Sequence, residues 1–139
     1  MKIKSKILNL ACSVAVGSLF ANAISAQERV LNVTNWGEYI AEDTISNFEN
    51  EYGIKVVYDA YDSAEAIDAK LLAGSSGYDV VSHSGGMTAR LIQAGIISPL
   101  DISKLDQLKN VDPAIMGQLA NLWDPGNKHF IPYMWGTHG

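Results

Sequence analysis

Strand-like and helix-like segments alternate strictly between Val30 and Gly95, and this alternation limits the possible folds more than any other feature. Runs rich in branched and aromatic residues predict strands, and longer stretches with helical spacing of apolar residues follow each of them. The predicted strands are Val30–Trp36, Ile54–Ala60 and Tyr78–Val81. A β-α-β-α-β-α order is typical of an α/β fold with a mainly parallel sheet flanked by helices.

The boundaries of the predicted helices follow from capping residues and glycines. Asp43 and Gly53 bound the first helix, and Asp62 with Glu65 has the spacing of a capping box at the start of the second. The third helix follows the turn Ser82–Gly86 and ends at Gly95. Apolar spacing places Ile67, Leu71 and Leu72 on the core face of the second helix.

The last part of the chain predicts one more helix and one more strand. Asp112-Pro113 combines a capping residue with a proline in the first helical position. The predicted core face of that helix comprises Ile115, Leu119 and Leu122. A turn at 124–127 follows, and His129–Trp135 is expected to form a further strand.

Residues 1–26 have the pattern of a secretory signal peptide. Three lysines precede a stretch without charges, and Ala21-Asn22-Ala23 and Ala26 both offer cleavage sites. Polar residues and glycine interrupt the apolar stretch, which makes it a poor membrane span. The sequence therefore predicts an exported protein, and Cys12, the only cysteine, leaves with the signal.

The exported part is acidic. After Ala26 there are seven basic and 15 acidic residues, a net charge of −8. This balance argues against nucleic acid as a partner, because phosphate binding needs a basic surface. It suits a cationic ligand, although solubility alone also accounts for it.

The end of the first predicted strand carries the best candidate ligand site. Ligands of open parallel sheets bind beyond the carboxyl ends of the strands. There, Trp36, Gly37, Glu38 and Tyr39 bring two aromatic rings and a carboxylate into one short turn. Such groups can hold an ammonium ion through cation–π contacts and a charge-assisted hydrogen bond. The alternative is that Trp36 packs in the core while Glu38 is solvated.

Ser84, at the end of the third predicted strand, is a candidate hydrogen-bonding residue, and ordinary turn chemistry is its alternative. Gly85-Gly86 could instead hold an anion at a helix N-terminus, but no lysine or arginine accompanies it. The three histidines are scattered, and Ser84 lacks the motif of a hydrolase nucleophile. We therefore expect no catalytic residues, no metal site and no cofactor.

Five segments, in order, resemble the amino-terminal part of periplasmic polyamine-binding proteins, the putrescine and spermidine receptors of ATP-driven (ABC) importers. They are "NWGEYI", "FENEYGIKVVYDAYDSAE", "KLLAGSSGYDVV", "AGIISPLD" and "IPYMWGT". The resemblance extends from Leu31 to Gly139. It implies two α/β lobes joined by a hinge, of which residues 27–139 form the first, incomplete lobe.

The resemblance also implies a site and partners. Trp36 and Tyr39 would line the amine site with Glu38 beside them, and Ser84 matches a family serine. The chain departs from the family at Gly37, where a hydroxyl residue is usual, at His83, where a proline is usual, and at Gly86, where a larger residue is usual. The expected protein is a periplasmic monomer, not an enzyme. It would deliver putrescine or a spermidine-like amine to an inner-membrane permease.

Other functions compete with this one. The same scaffold could serve a different small solute, such as a metal chelate or an amino compound. An exported α/β hydrolase would need a nucleophile and a base, which the segment does not offer. A receptor that signals rather than transports would have the same sequence features.

Overall fold

The computed structural model describes residues 28–136, so the predicted signal peptide lies outside the described part of the chain. Three parallel strands form a sheet in the order β2-β1-β3. They are β1 (Val30–Trp36), β2 (Lys55–Tyr61) and β3 (Val80–Val81). Strands β1 and β2 pair along their whole length, from Val30 with Lys55 to Trp36 with Tyr61.

Four α-helices accompany the sheet: α1 (Thr44–Tyr52), α2 (Ala64–Leu72), α3 (Gly85–Gln93) and α4 (Pro113–Leu122). Two short 3₁₀ segments, Ile102–Lys104 and Asp106–Asn110, lie between α3 and α4. The predicted α/β fold with a parallel sheet and flanking helices is confirmed. Within residues 28–136, no helix has the length and apolar character needed to cross a membrane.

Most predicted helix boundaries are confirmed, but two predicted caps are not. Asp43 occupies the cap position of α1 without a side-chain hydrogen bond to the helix backbone. Asp112 accepts a hydrogen bond from the N–H of Ala114 at 2.7 Å, and Gly53 ends α1 in the left-handed conformation. Helix α2 is capped by Ser63 rather than Asp62, since the Ser63 hydroxyl accepts from the N–H of Ala66. A side chain can cap only from the residue directly before the first helical turn, and that residue is Ser63.

The sheet has an apolar surface on both sides. Alternation along β2 directs Tyr58 to one face and Tyr61 to the other. Helix α1 covers the first face with Ile45 and Phe48. On the second face α2 and α3 form the buried core, which comprises Ile67, Leu71, Met87 and Leu91.

Two residues predicted for core faces are exposed. Leu72 is 51% exposed and Leu122 is 63% exposed, so the prediction for both was wrong. Each is the last residue of its helix, where no neighbouring element covers the side chain. Leu71 and Leu119, which lie within the same helices, are buried as predicted.

Strand β3 is two residues shorter than predicted, because the side chain of Asp79 replaces one of its backbone hydrogen bonds to β1. The carboxylate of Asp79 accepts a hydrogen bond from the backbone N–H of Asn32 at 2.8 Å. That N–H would otherwise bond to a backbone carbonyl of the neighbouring strand. Regular pairing therefore begins at Val80, opposite Val33.

The segment His129–Trp135 is not a strand, contrary to the sequence prediction. A strand needs a partner for its backbone groups, and here the N–H groups of His129 and Phe130 donate to the carboxylate of Asp124. The preceding turn is present, with the N–H of Asn127 bonded to the carbonyl of Asp124 at 2.8 Å. Apolar alternation alone did not distinguish an extended segment from a paired strand.

Candidate ligand-binding site

An open crevice of about 370 Å³ lies at the carboxyl end of the sheet, lined by Trp36, Gly37, Glu38, Tyr61 and Asp62. Its residues come from the ends of β1 and β2. Strand β1 is central, and the chain visits β2 on one side of it before reaching β3 on the other. Ligands of open α/β sheets bind beyond the carboxyl ends of the strands, which is the edge where this crevice lies.

Two aromatic rings form one wall of the crevice. The ring centroids of Trp36 and Tyr61 are 4.6 Å apart, with an angle of 47° between the ring planes. Because the two residues are direct partners in the β1–β2 register, their backbones fix the pair. The result is an apolar surface with two π-faces, against which a cation and its methylene chain can lie.

The side chain of Asn35 stabilises the turn after β1 through two hydrogen bonds. This side chain is buried, accepts from the N–H of Trp36 at 2.9 Å and donates to the carbonyl of Tyr39 at 3.2 Å. The N–H of Gly37 also bonds to the carbonyl of Tyr61 at 2.9 Å, which ties the turn to β2. Asn35 thus sets the turn without itself lining the crevice.

Glu38 has a φ of 63°, in the left-handed region that residues with a Cβ rarely adopt. Such backbone strain occurs often at binding sites, where the surrounding structure holds it in place. Here the hydrogen bonds of Asn35 and Gly37 on either side of the turn hold it. The conformation places the Glu38 side chain at the crevice, beside Trp36.

The crevice contains two carboxylates, Glu38 and Asp62, and both residues are exposed. No lysine or arginine lines it. Carboxylates accept hydrogen bonds from ammonium groups, and these bonds are stronger than neutral ones. Two acids beside a Trp–Tyr pair therefore suit an organic cation.

The structure brings together some of the candidate residues but not all. Trp36, Gly37 and Glu38 share the crevice, whereas Tyr39 and Ser84 are not among its lining residues. The Tyr39 ring is 45% exposed, and its carbonyl accepts from the hydroxyl of Tyr133. Ser84 is exposed and caps α3 by position, without a side-chain hydrogen bond to the helix.

Sequence reasoning missed two lining residues, Tyr61 and Asp62. Candidate side chains were chosen at the ends of the first and third predicted strands, and none was chosen at the end of the second. The signal was available, since β2 ends in an aromatic residue followed by an acid, much as β1 ends in Trp36 with Glu38 two positions later. Only the in-register pairing shows that the two strand ends form one wall.

Tyr61 also connects the crevice to the loop after β3. Its hydroxyl donates to the carbonyl of Ser82 at 2.6 Å, and its ring lies 5.9 Å from that of His83. Burial, together with the nearby charge of Asp68, raises the pKa of Tyr61 to about 12. The hydroxyl therefore remains a donor at any physiological pH.

Gly85 and Gly86 belong to the first turn of α3, not to the preceding loop as predicted. A Cβ on Gly85 would lie 2.3 Å from the indole of Trp123. The Trp123 indole packs directly on the start of α3. Gly85 is therefore required for this close approach rather than for binding an anion. Nothing lies within 4 Å of a Cβ on Gly86.

Residues that could bind a metal ion do not cluster in the described part of the chain. Between residues 28 and 136, no group of three or more His, Cys, Asp or Glu side chains is placed to hold a metal ion. His83 accepts from the backbone N–H of Ser84 at 2.7 Å, through Nδ1. That ring nitrogen is therefore engaged by the backbone.

The family profile described as "Bacterial extracellular solute-binding protein" matches residues 32–139. The chain belongs to this family. The match covers β1 from Asn32 onward, β2, β3, the four helices described above and the crevice of this solute-binding protein.

Curated relatives are similar over nearly the whole chain. The solute-binding protein is 54% identical over 123 residues to the "Putrescine-binding periplasmic protein SpuD" of Pseudomonas aeruginosa, a match covering 88% of this chain and 33% of that one. It is 47% identical over 127 residues to the "Putrescine-binding periplasmic protein PotF" of Escherichia coli, covering 91% and 33%. The chain thus spans about a third of the length of these relatives.

Solved structures show the same lobe. The spermidine/putrescine ABC transporter substrate-binding protein PotD from Streptococcus pneumoniae superposes with a TM-score of 0.72 at 37% identity, covering 78% of this chain and 33% of that one. The TpPotD lipoprotein of Treponema pallidum gives a TM-score of 0.70 at 32% identity, covering 76% and 32%. The solute-binding protein therefore has the architecture of one lobe of this type.

Proposed function

We propose that the chain is the first lobe of a periplasmic receptor that captures putrescine or a related polyamine and delivers it to an ABC permease. Relatives at 54% and 47% identity are named as putrescine-binding periplasmic proteins, which supports both the ligand class and the compartment. Residues 1–26 would act as the export signal and residues 27–139 as the lobe. In this proposal the receptor works as a monomer, does not bind nucleic acid and leaves its ligand chemically unchanged.

The observation that carries the proposal is the composition of the crevice: Trp36 and Tyr61 rings beside the carboxylates of Glu38 and Asp62. An alkylammonium ion needs a counter-charge and hydrogen-bond acceptors, and its methylene chain needs an apolar surface. The crevice offers all of these within a few residues. Anions would be repelled by two carboxylates that no lysine or arginine of the crevice compensates.

The crevice covers only one side of a ligand, because it is open to solvent. A diamine has two cationic ends, and burying either without a partner is costly. We therefore assign to this lobe one half of the site and to a second lobe the other half. Closure of the two lobes on the amine, a shift between open and closed states, would complete the enclosure.

Tyr39 and Ser84 remain proposed ligand residues at the rim of the crevice. Tyr39 follows Glu38 directly. Its exposed ring is available to a ligand that the second lobe encloses against the crevice. Ser84 begins α3 at the end of the neighbouring strand, with no side-chain cap bond to engage its hydroxyl. Small rotations of these two side chains on closure would bring them to an amine bound against Trp36.

A thermal-shift panel on the full-length protein tests the proposal. Putrescine, cadaverine, spermidine and spermine are compared with magnesium chloride at equal ionic strength. A ligand at a hundredfold excess over its Kd stabilises the folded state by ~2.7 kcal/mol, so the best polyamine should raise Tm by several degrees. Trp36→Ala should remove the rise, while Glu51→Gln, at the far end of α1, should retain it.

Two results would count against the proposal. If no polyamine raises Tm above the magnesium control, the ligand class is wrong. If Trp36→Ala retains the full rise, the protein binds amines elsewhere, and the crevice is not the site.

A further inference from the structure

The side chain of His83 is almost fully enclosed, although it lies in the short loop between β3 and α3. Only 2% of it is exposed. Its ring packs against that of Tyr61 at 5.9 Å between centroids, directly behind the wall of the crevice. An enclosed imidazole needs hydrogen-bond partners for both ring nitrogens, because an unpaired buried polar group is costly.

Both partners are present, and together they fix the tautomer. Nδ1 lies 2.7 Å from the backbone nitrogen of Ser84, and Nε2 lies 2.6 Å from Oδ1 of Asp68. A backbone N–H can only donate, so Nδ1 must be the acceptor and carry no proton. The proton is therefore on Nε2 and points at the carboxylate, an assignment that follows from the hydrogen-bond network.

These two bonds join the loop to the helix behind it. Asp68 belongs to α2 and is also contacted by Arg90 of α3, at 3.5 Å. On the other side, Tyr61 of β2 donates to the carbonyl of Ser82 at 2.6 Å. The Tyr61 hydroxyl thus holds the loop at Ser82, and the His83 imidazole holds it at Ser84.

The same Tyr61 ring forms the crevice wall with Trp36 at 4.6 Å. A series of contacts therefore runs from His83 to the Tyr61 ring and on to the Trp36 indole. In the other direction, a hydrogen bond joins the His83 ring to Ser84. Trp36 and Ser84 are both residues of the proposed ligand site. The imidazole itself touches neither the crevice nor solvent.

We infer that His83, in its neutral Nε2–H form, is a positioning residue for ligand binding. It holds the N–H of Ser84 and the Tyr61–Trp36 wall in the geometry that receives the amine. This inference rests on the proposed polyamine function. The groups that face His83 are the carboxylate of Asp68 from α2, the Tyr61 ring from β2 and the Ser84 N–H from its own loop, with Arg90 of α3 behind Asp68.

Protonation should release the loop. A proton on Nδ1 would face the N–H of Ser84, so the two donors would repel each other and the backbone group would lose its acceptor. Asp68 would still pair with the imidazolium through Nε2, so only the hydrogen bond from the Ser84 N–H would be lost. A ring protonated at Nδ1 would therefore no longer hold the loop in the geometry that receives the amine.

Two substitutions separate positioning from simple packing. In His83→Asn the amide oxygen can take the place of Nδ1 and accept from Ser84, but the bond to Asp68 is lost. In His83→Gln the amide nitrogen can take the place of Nε2 and donate to Asp68, but the Ser84 N–H loses its acceptor. Each variant removes one bond of the same imidazole, so both should lower Tm.

The deciding measurement is putrescine titration calorimetry on the full-length protein and both variants. His83→Gln should weaken binding about tenfold at neutral pH, the size expected for an unpaired buried donor, while His83→Asn stays within about threefold of the unsubstituted protein. ¹⁵N shifts of the His83 ring should show the neutral Nε2–H form at neutral pH.

Several outcomes would overturn the inference. His83→Gln could bind as tightly as the unsubstituted protein, or affinity could simply follow Tm in both variants, which would indicate a packing role. If the unsubstituted protein binds no amine, the proposed function fails instead, and the ring tautomer by NMR still tests the hydrogen-bond assignment.

Discussion

The rings of Trp36 and Tyr61 lie 4.6 Å apart, at the paired ends of two parallel strands. Each ring packs against the other, because the two residues are direct partners in the β1–β2 register. Tyr61 in turn is held by its hydrogen bond to Ser82. The indole of the crevice is therefore oriented before any ligand arrives, which reduces the entropy lost on binding.

The ring pair predicts a graded response to substitution at Tyr61. Tyr61→Phe keeps the ring and loses the hydroxyl, so amine affinity should fall only slightly. Tyr61→Leu removes the ring contact, worth about 0.5–1.5 kcal/mol, and should weaken putrescine binding by about three- to tenfold. Calorimetry on the full-length protein measures both, and equal affinities for the two variants would contradict the role of the ring pair.

The two crevice carboxylates should contribute separately to amine binding. Glu38→Gln and Asp62→Asn each keep the side-chain size and remove one charge next to the ligand. We expect each to weaken putrescine binding by about tenfold or more, since a charge-assisted hydrogen bond is worth about 1.5–3 kcal/mol. Glu51→Gln is the matched control for net charge, and a similar loss there would indicate long-range electrostatics rather than contact.

The two glycines at the start of α3 should respond in opposite directions to alanine. Gly85→Ala would place a Cβ 2.3 Å from the Trp123 indole, and overpacking of this kind costs about 1–3 kcal/mol. Gly86→Ala meets nothing within 4 Å and replaces a helical glycine, so it should be neutral or stabilise by up to about 1 kcal/mol. Urea unfolding of both variants tests this, and equal effects would exclude the contact with Trp123.

Asp124 should support the turn before the C-terminal segment. Its carboxylate accepts from the backbone N–H groups of His129 and Phe130 and lies 2.9 Å from Nδ1 of the His129 ring. Asp124→Ala leaves these donors without an acceptor and should cost about 2–3 kcal/mol of unfolding free energy. Urea unfolding measures the loss, and Asp124→Asn, which keeps one acceptor oxygen, should lose less.

The same carboxylate predicts a pH dependence. Burial by itself raises the pKa of Asp124, but the hydrogen bonds from His129, Phe130 and Lys128 outweigh burial and lower it. Its stabilisation is therefore present above the ordinary aspartate value of about 3.9 and is lost as the pH falls below it, through the lower folded pKa. Stability should decline less between about pH 5 and about pH 2 in Asp124→Asn, and parallel curves would contradict the assignment.

At alkaline pH the sign is reversed for Tyr61. Its pKa is raised to about 12, mainly by burial. In the unfolded chain this phenol ionises near 10, so between about pH 10 and 12 the unfolded state binds fewer protons and stability falls as the pH rises. Ultraviolet titration should show a late-ionising tyrosine that Tyr61→Phe removes, and an unchanged titration curve would contradict this.

Sequence patterns correctly predicted the features that depend only on residues close together along the chain. The glycine at Gly53 and the Asp112-Pro113 pair bound helices as predicted, because capping and left-handed turns depend only on nearby backbone groups. The turn after the first strand was recognised for the same reason. Its acidic and aromatic residues are adjacent along the chain, so Trp36, Gly37 and Glu38 lie together in the crevice.

Non-local hydrogen bonds account for the predictions that failed. The carboxylate of Asp79 replaces a backbone partner of β1 and shortens β3, and that of Asp124 takes the donors that a strand at His129 would have used. Apolar alternation reports which side chains face a core, but it does not report which backbone groups find a partner. Leu72 and Leu122 fit the helical pattern yet lie beyond the edge of the packed surface.

The sequence by itself determined the α/β alternation, the sign of the charge and the grouping of aromatic and acidic residues at the end of β1, since these depend on residue type and short-range spacing. The tertiary structure alone decided that Tyr61 and Asp62 complete the crevice and that His83 is enclosed behind it with a fixed tautomer. The physical reason is strand pairing: the β1–β2 register brings together residues 25 positions apart, and no local pattern encodes that register.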